Sequence, residues 1–473
     1  MKMDYAMNRA NSGEKLSPGV KFAYGLSGYS SFITWTIFSY YGLYFFTDII
    51  GFSAGFAAAI ISLGTIWDAV SDPIIGILSD NRQSDKGRRR PLIIGIAIPF
   101  VFVSILLFTD FNLSETASKV YFITAIILYY TAQTVLDIAC SSLGTEMTLD
   151  YDERSSLAAI KNFFCMLVIL AVSPMLLLVR HTGNLFDNVN FGWAATVSIY
   201  MAFALLCIFI IWKATAGYER FKNAEKFVYR DIPKIFKQNK AIRYVMLLFA
   251  LGVFANTVNL TMQVYFYSYN MGLSEGQIAS VMMASGIACC AAAFGVDFLC
   301  KKLSKKAAWM LTIGVLIVSY VALIGFMAQP GRMAVLYVFA VVISLGMCAV
   351  YQVPWSMIPD CVEINELQSG QRIEGVIFGF TSFIQKVAAA ISISAAGAAL
   401  TAVGYVANEA QTAQTLEGMR WLFVLGVCIP YFISLLLAYK YPLGKERHAQ
   451  VLKAIEDKRK GIAFNREDFK DLL

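Results

Sequence analysis

Long apolar runs, each about as long as a bilayer is thick, alternate with short polar connections along most of this chain. Windows of about 20 apolar residues, the length a helix needs to cross the hydrocarbon core, predict twelve transmembrane helices near 22–48, 54–79, 91–109, 118–144, 157–179, 193–213, 242–269, 276–299, 307–328, 333–358, 374–404 and 418–440. Several exceed 25 residues, which predicts tilt or protruding helix ends. The longest polar connection, roughly residues 213–240, stands between the sixth and seventh spans. The predicted class is therefore an all-α polytopic membrane protein. It divides into a six-helix bundle over 1–215, a cytoplasmic middle loop over 216–241, a second six-helix bundle over 242–440 and a cytoplasmic tail over 441–473. Six basic residues between Arg220 and Lys237 give the middle loop the makings of an amphipathic helix on the membrane face.

Composition agrees, and charge adds orientation. Of 473 residues, 58% are hydrophobic and 15% charged, against about 25% charged in an ordinary soluble domain; the mean hydropathy is +0.60. With the N-terminus inside, the outer loops hold only Lys119, Arg180, Arg332 and Arg420 of the 39 Lys and Arg, and Lys386 lies within a span. That asymmetry predicts a multi-pass cell-membrane protein with both termini cytoplasmic. The net +7 is then a topogenic and lipid-facing signal, not a nucleic-acid footprint. The nine cysteines lie in spans or at their inner ends, so no disulfide framework is expected. Residues 1–18 lack the apolar core of a cleavable signal. His181 and His448 fall in an outer loop and in the tail, where solvation is expected. The tail, 445–473, alternates acids and bases as a short cytoplasmic helix would.

Two acids interrupt the second span. Asp68 and Asp72 stand one turn apart in Ile66-Trp67-Asp68-Ala69-Val70-Ser71-Asp72-Pro73-Ile74-Ile75-Gly76. An ionised carboxylate at mid-bilayer costs about 3 kcal/mol even on lenient insertion scales, and the i,i+4 spacing places both on one face, close enough to share a ligand. The simplest account is a cation between them, which makes the chain an ion-coupled machine. No phosphate-cradling glycine loop is present, so ATP drive within the chain is not expected. Nor do the spans carry a convincing His, Cys or Ser grouping for catalysis. Neither an enzymatic activity nor a cofactor beyond a coupling ion is expected.

The loops expected on the inner side echo one another. Gly76-Ile77-Leu78-Ser79-Asp80 and Lys86-Gly87-Arg88-Arg89-Arg90 follow the second span; Gly295-Val296-Asp297 and Lys301-Lys302-Leu303-Ser304-Lys305-Lys306 follow the eighth. Asp150-Tyr151-Asp152-Glu153-Arg154 follows the fourth, and Asp360-Cys361-Val362-Glu363 the tenth. Two parallel six-helix repeats describe the major facilitator architecture, where substrate binds near mid-membrane between the halves. Acid–base pairs at inner helix ends can lock such halves in one state and release them in another. The gating candidates are Asp80, Arg88, Arg89, Asp150, Arg154, Asp360 and Glu363; lipid anchoring is the plainer role for the arginines.

At this point the chain resembles the glycoside–pentoside–hexuronide:cation symporters, the family that includes the melibiose permease. The marks are Lys21-Phe22-x-Tyr24-Gly25, Tyr44-Phe45-Phe46-Thr47-Asp48, Trp67-Asp68-Ala69-x-x-Asp72-Pro73, Thr148-Leu149-Asp150-x-x-x-Arg154 and Gln385-Lys386. The resemblance implies that Asp68 and Asp72 bind the coupling ion, as Na⁺ ligands if sodium is the ion, with Thr134 supplying a hydroxyl. It implies that Asp137 serves the cation region and substrate hydroxyls together, and that Lys386 is the family's intramembrane lysine. Three acids and one base leave a net negative cluster that a monovalent cation nearly neutralises. Packed carboxylates also raise one another's proton affinity, so Na⁺ and H⁺ both remain open.

Galactoside-binding members of that family carry an acid on the first span and an arginine on the fifth. Here Phe32 and Asn162, with Lys161 beside it, fall at those positions, so galactoside specificity is not carried over. The substrate candidates, beside Asp137 and Lys386, are then Tyr29 and Ser30 on the first span, Asn162 on the fifth, and Tyr351 and Trp355 on the tenth. The expected function is cation-coupled symport of a sugar, glycoside or hexuronide by alternating access. A lysophospholipid or other amphiphile on the same scaffold is the alternative.

Overall fold

The computed structural model describes residues 16–81, 89–148, 151–218, 239–369 and 374–459, together with Phe469 and Leu472. The middle-loop helix expected between Arg220 and Lys237 lies outside them. So do Arg88 and Asp150, and the side chains of Asp80 and Arg154.

Regular structure among the described residues is helical. The first span is divided into α1 (Pro18–Gly25) and α2 (Ser27–Tyr44), which runs on into a π-turn at Phe45–Ile49. Then come α3 (Ala54–Asn81), α4 (Arg90–Leu107), α5 (Glu115–Met147), α6 (Tyr151–Val172), α7 (Met175–Leu185) and α8 (Val189–Ala214). After the middle loop follow α9 (Lys240–Tyr265), α10 (Glu275–Lys302), α11 (Lys305–Ser319), α12 (Met333–Ser369), α13 (Glu374–Ala402), α14 (Ala413–Lys440) and α15 (Lys445–Arg459). Polar residues mark helix starts: Asn188, Asn239, Ser304 and Thr412 each accept an amide N–H of the first turn, satisfying a donor that the helix itself cannot.

Ten helices among the described residues are long and apolar enough to cross a membrane, and α6 with α7 makes an eleventh as a pair bent by 51°. The divided first span completes the twelve. The fifth span is thus not the straight helix expected over 157–179. Pro174, at the break, has no amide to continue the helical ladder. Exposed apolar side chains such as Ile98, Phe102, Ile199 and Phe294 cover the helices, the surface that lipid would solvate. The chain is a multi-pass membrane protein.

The chain forms two compact units, Met1–Glu225 with Leu273–Gly286, and Lys226–Gly272 with Ile287–Leu473. In the second unit the tail forms the short helix its charge alternation suggested, and one face of that helix is packed against the unit. Val451, Ala454 and Ile455 of α15 are buried, Lys458 Nζ donates to the Leu367 carbonyl at 2.6 Å, and the carbonyl of buried Leu472 accepts from Lys240 N at 3.0 Å. His448, expected to be solvated, is only partly exposed and is paired: its Nε2 lies 2.5 Å from Glu363 Oε2. His181 is exposed, as expected.

Candidate cation and substrate site

Helices α3 and α5 of the first unit meet along a polar seam. Gly64 permits the approach, because a Cβ there would lie 2.2 Å from Ile126 Cγ2 and 2.6 Å from the Tyr130 ring. Below it Thr65 Oγ1 is 3.1 Å from Tyr130 Oη, and Trp67 Nε1 donates to Thr131 Oγ1 at 2.9 Å. One turn further Thr134 Oγ1 donates to Asp68 Oδ1 at 2.7 Å, and Ser71 Oγ lies 3.3 Å from the same hydroxyl. Asp68, Ser71 and Thr134 are all buried. A hydrogen bond to an ionised acceptor contributes about 1.5–3 kcal/mol, so the hydroxyls offset part of the cost of burying Asp68.

Asp72 is half-buried one turn beyond Asp68 on the same helix. Pro73 follows it inside α3 and cannot donate to the Ala69 carbonyl four residues back. Asp68 with the Ser71 and Thr134 hydroxyls, and Asp72 one turn further along α3, offer hard oxygen donors of the kind that suits an alkali cation or a proton. Ser71 was passed over in the sequence. A helical serine normally bonds back to its own helix, and Ser71 does so too, reaching the Asp68 carbonyl at 3.1 Å.

Asp137 sits one turn along α5 from Thr134 but points elsewhere. Its side chain is about half exposed, and Oδ1 is 3.6 Å from Lys161 Nζ on α6, which also donates to Ser141 Oγ at 2.9 Å. The base facing Asp137 is therefore Lys161. Asn162, the residue selected from the aligned sequence, is exposed one position away, about 100° around the helix. Close packing of α6 on α2 fixes this placement, since a Cβ on Gly28 would meet the Lys161 carbonyl oxygen at 2.1 Å. Backbone cannot yield as a side-chain end can. Gly28→Ala should destabilise the protein by about 1–3 kcal/mol, read as a lowered unfolding temperature, and should displace Lys161 as it does so.

The first-span candidates differ in kind. Ser30 is fully buried, and its hydroxyl reaches the carbonyls of Leu26 and Ser27, both at 3.4 Å. Tyr29 is buried edge-on against Phe203 at 4.8 Å. On the same helix Phe32 stacks on Trp35 with centroids 4.8 Å apart, and both are half-exposed. Phe32 is the residue that the resemblance aligns with the acid of galactoside binders. Trp35 was not singled out beforehand; one tryptophan in an aromatic-rich span gives no signal of stacking.

In the second unit Tyr351 Oη accepts from Asn256 Nδ2 at 3.5 Å, Trp355 stands edge-on to Phe249 at 6.0 Å one turn later on α12, and Lys386 is half-buried on α13. Each unit also ties a base at the start of its third transmembrane helix to an acid near the end of its fourth. Buried Arg89, just before α4, donates to Glu146 Oε1 at 3.0 Å and to Ser79 Oγ. Lys305, opening α11, reaches both oxygens of Asp360 at 2.7 Å. Glu146 was not anticipated; it is a single acid at a helix end with no motif around it. Glu153, part of the motif after the fourth span, is buried, accepts from Leu16 N and Lys21 Nζ, and so ties α1 and the residues just before it to α6.

Helices long enough to span a membrane and a base–acid tie repeated in each unit are features of the major facilitator fold. The family model described as MFS/sugar transport protein matches residues 22–445. The chain belongs to that family, as a symporter of the glycoside–pentoside–hexuronide kind. It is 26% identical over 457 residues to the uncharacterized symporter YjmB of Bacillus subtilis, covering 94% of this chain and 96% of that protein. It is 25% identical to the isoprimeverose transporter of Lactiplantibacillus pentosus, covering 93% and 94%, and 25% identical to a putative sulfoquinovose importer of Salmonella typhimurium, covering 94% of each. Among solved structures, a bacterial homologue of the human lysosomal transporter Spinster matches with TM-score 0.65 at 12% identity, over 92% of this chain and 97% of that one. The peptide transporter POT matches with TM-score 0.67 at 12% identity, over 92% and 98%; at such identities these two speak for fold alone. The protein is a transporter and not an enzyme.

Proposed function

We propose that this sugar symporter couples uptake to a monovalent cation, Na⁺ or H⁺, held by Asp68 and Asp72 with the hydroxyls of Thr134 and Ser71. The observation that carries the reading is the 2.7 Å hydrogen bond from Thr134 to the buried Asp68 carboxylate, an acid–hydroxyl pair retained in a span where an acid without a partner would be costly. Both termini are cytoplasmic in this reading, in keeping with the distribution of Lys and Arg.

The substrate is a sugar, glycoside or hexuronide. The isoprimeverose and sulfoquinovose relatives favour a sugar over the lysophospholipid alternative. Asp137 takes sugar hydroxyls, Lys161 orients it, and the Phe32–Trp35 pair offers an apolar platform to a ring face. Lys386, Tyr351 and Trp355 are the second unit's candidates for the substrate. Asp137→Ala should lower sugar affinity by about tenfold, the effect of losing one charge-assisted hydrogen bond. Ser30→Ala should change it little, because that hydroxyl is already spent on its own helix.

The deciding experiment is a thermal-shift screen of purified protein against neutral disaccharides, hexuronides and lysolipids, with Na⁺ and with choline at two pH values. A sugar that stabilises only when Na⁺ is present, or only at the acidic pH, supports coupling. Stabilisation by a lysolipid alone would overturn the substrate assignment.

A further inference from the structure

At the polar end of the second unit, three side chains converge from two helices that the transport reading does not connect. Asp360 and Glu363 are i,i+3 near the end of α12 and so share a face. His448 comes from the first turn of α15, which its buried apolar face and the Lys458–Leu367 bond hold against α12. His448 Nε2 lies 2.5 Å from Glu363 Oε2 and 3.7 Å from Asp360 Oδ1, and the three donor atoms all fall within 4.8 Å of one another. We propose that Asp360, Glu363 and His448 form a binding site for a divalent transition-metal ion of the Zn²⁺ class, joining the C-terminal helix to the bundle.

Charge supports a cation here. Lys305 reaches both oxygens of Asp360 at 2.7 Å and offsets one of the two carboxylate charges; among the described residues Glu363 is paired with His448. Each carboxylate oxygen keeps a further lone pair, so the lysine does not exclude Asp360 as a ligand. One imidazole nitrogen with two carboxylate oxygens is a donor set for Zn²⁺, Co²⁺ or Mn²⁺ in preference to a soft-metal site.

Geometry supports it as well. Ligands on one tetrahedral ion stand about 3.3 Å apart for bonds of about 2.0–2.1 Å. Nε2 and Oε2 must therefore separate by less than about 1 Å, and both side chains are partly exposed and free to do so. A cavity of about 320 Å³ adjoins the cluster, lined by Asp360 and His448 and also by Cys300 and Tyr441. It supplies both a path for the ion and room for water to complete its coordination.

Co²⁺ titration of the full-length protein in detergent, purified through a tag without histidine, tests the proposal. The visible absorption of bound Co²⁺ should saturate at one ion per chain and be displaced by Zn²⁺. His448→Gln and Glu363→Gln should each weaken binding by more than about tenfold, at least the loss seen when outer-shell partners of a metal are removed. His448→Cys restores a ligating atom and should recover binding, which separates a lost ligand from a misfolded tail. Cys300→Ser, altering only the neighbouring thiol, should titrate as the parent protein does. Absence of saturable uptake would overturn the site, and so would His448→Gln binding Co²⁺ as tightly as the parent, which marks an adventitious ion.

Discussion

Asp68→Asn is expected to abolish cation-stimulated sugar uptake while leaving the protein folded in the membrane. Asparagine has the shape of aspartate and keeps an acceptor for the Thr134 hydroxyl, now 2.7 Å from Asp68 Oδ1, so the α3–α5 seam stays closed. What disappears is the charge. The exchange turns a charge-assisted hydrogen bond into a neutral one, a change of about 1 kcal/mol in stability, whereas the ion loses a formal negative ligand altogether. Asp72→Asn should behave alike. Thr134→Val is the graded case, removing one oxygen donor at constant volume. Its cation dependence should persist at an apparent affinity lowered about tenfold or more, the equivalent of about 1.5–3 kcal/mol. The measurement is uptake into membrane vesicles under imposed Na⁺ and proton gradients, paired with thermal unfolding of each variant. Undiminished stimulation by Na⁺ or H⁺ in both Asp→Asn variants would remove the acids from the coupling site.

The architecture was legible in the sequence because a bilayer imposes one strong rule: a spanning helix must be apolar over a fixed length. The rule fails where the backbone breaks. Pro174 divides the fifth span and Leu26 the first, and a hydropathy window averages across both. Asp68 and Asp72 also stood out in the sequence, since charge within a span needs an explanation. Alignment on a pair of phenylalanines selects Asn162 with Lys161 beside it, and one residue on a 3.6-residue repeat faces a different neighbour; only the fold shows that Lys161 is the one beside Asp137. Solvation was expected of His448 from its place in the tail, yet Val451, Ala454 and Ile455 at i,i+3,i+4 already spelled a face to bury, and that face brings His448 to Glu363. Glu146 left no local trace, because what makes it functional is a partner 57 residues earlier.

That partner, Arg89, carries the second large prediction. Its side chain is 5% exposed and that of Glu146 is 11%, with Ser79 Oγ taking a further guanidinium N–H, so the pair fastens the adjoining ends of α3, α4 and α5. Removing one member of a buried ion pair takes the counter-charge from the other, a loss of about 3–5 kcal/mol. Arg89→Ala should therefore lower the unfolding temperature sharply and reduce the yield of folded protein. The double variant Arg89→Met with Glu146→Leu removes both charges and fills the same space, and such replacements are often neutral for stability. If the pair serves only to hold the helices, the double variant should recover both stability and transport. If it also has to open and close during the cycle, as a gate of this type would, stability should return while turnover stays impaired. Thermal unfolding together with the maximal rate of sugar uptake separates the two cases. Recovery of both properties would confine Arg89 to a structural role.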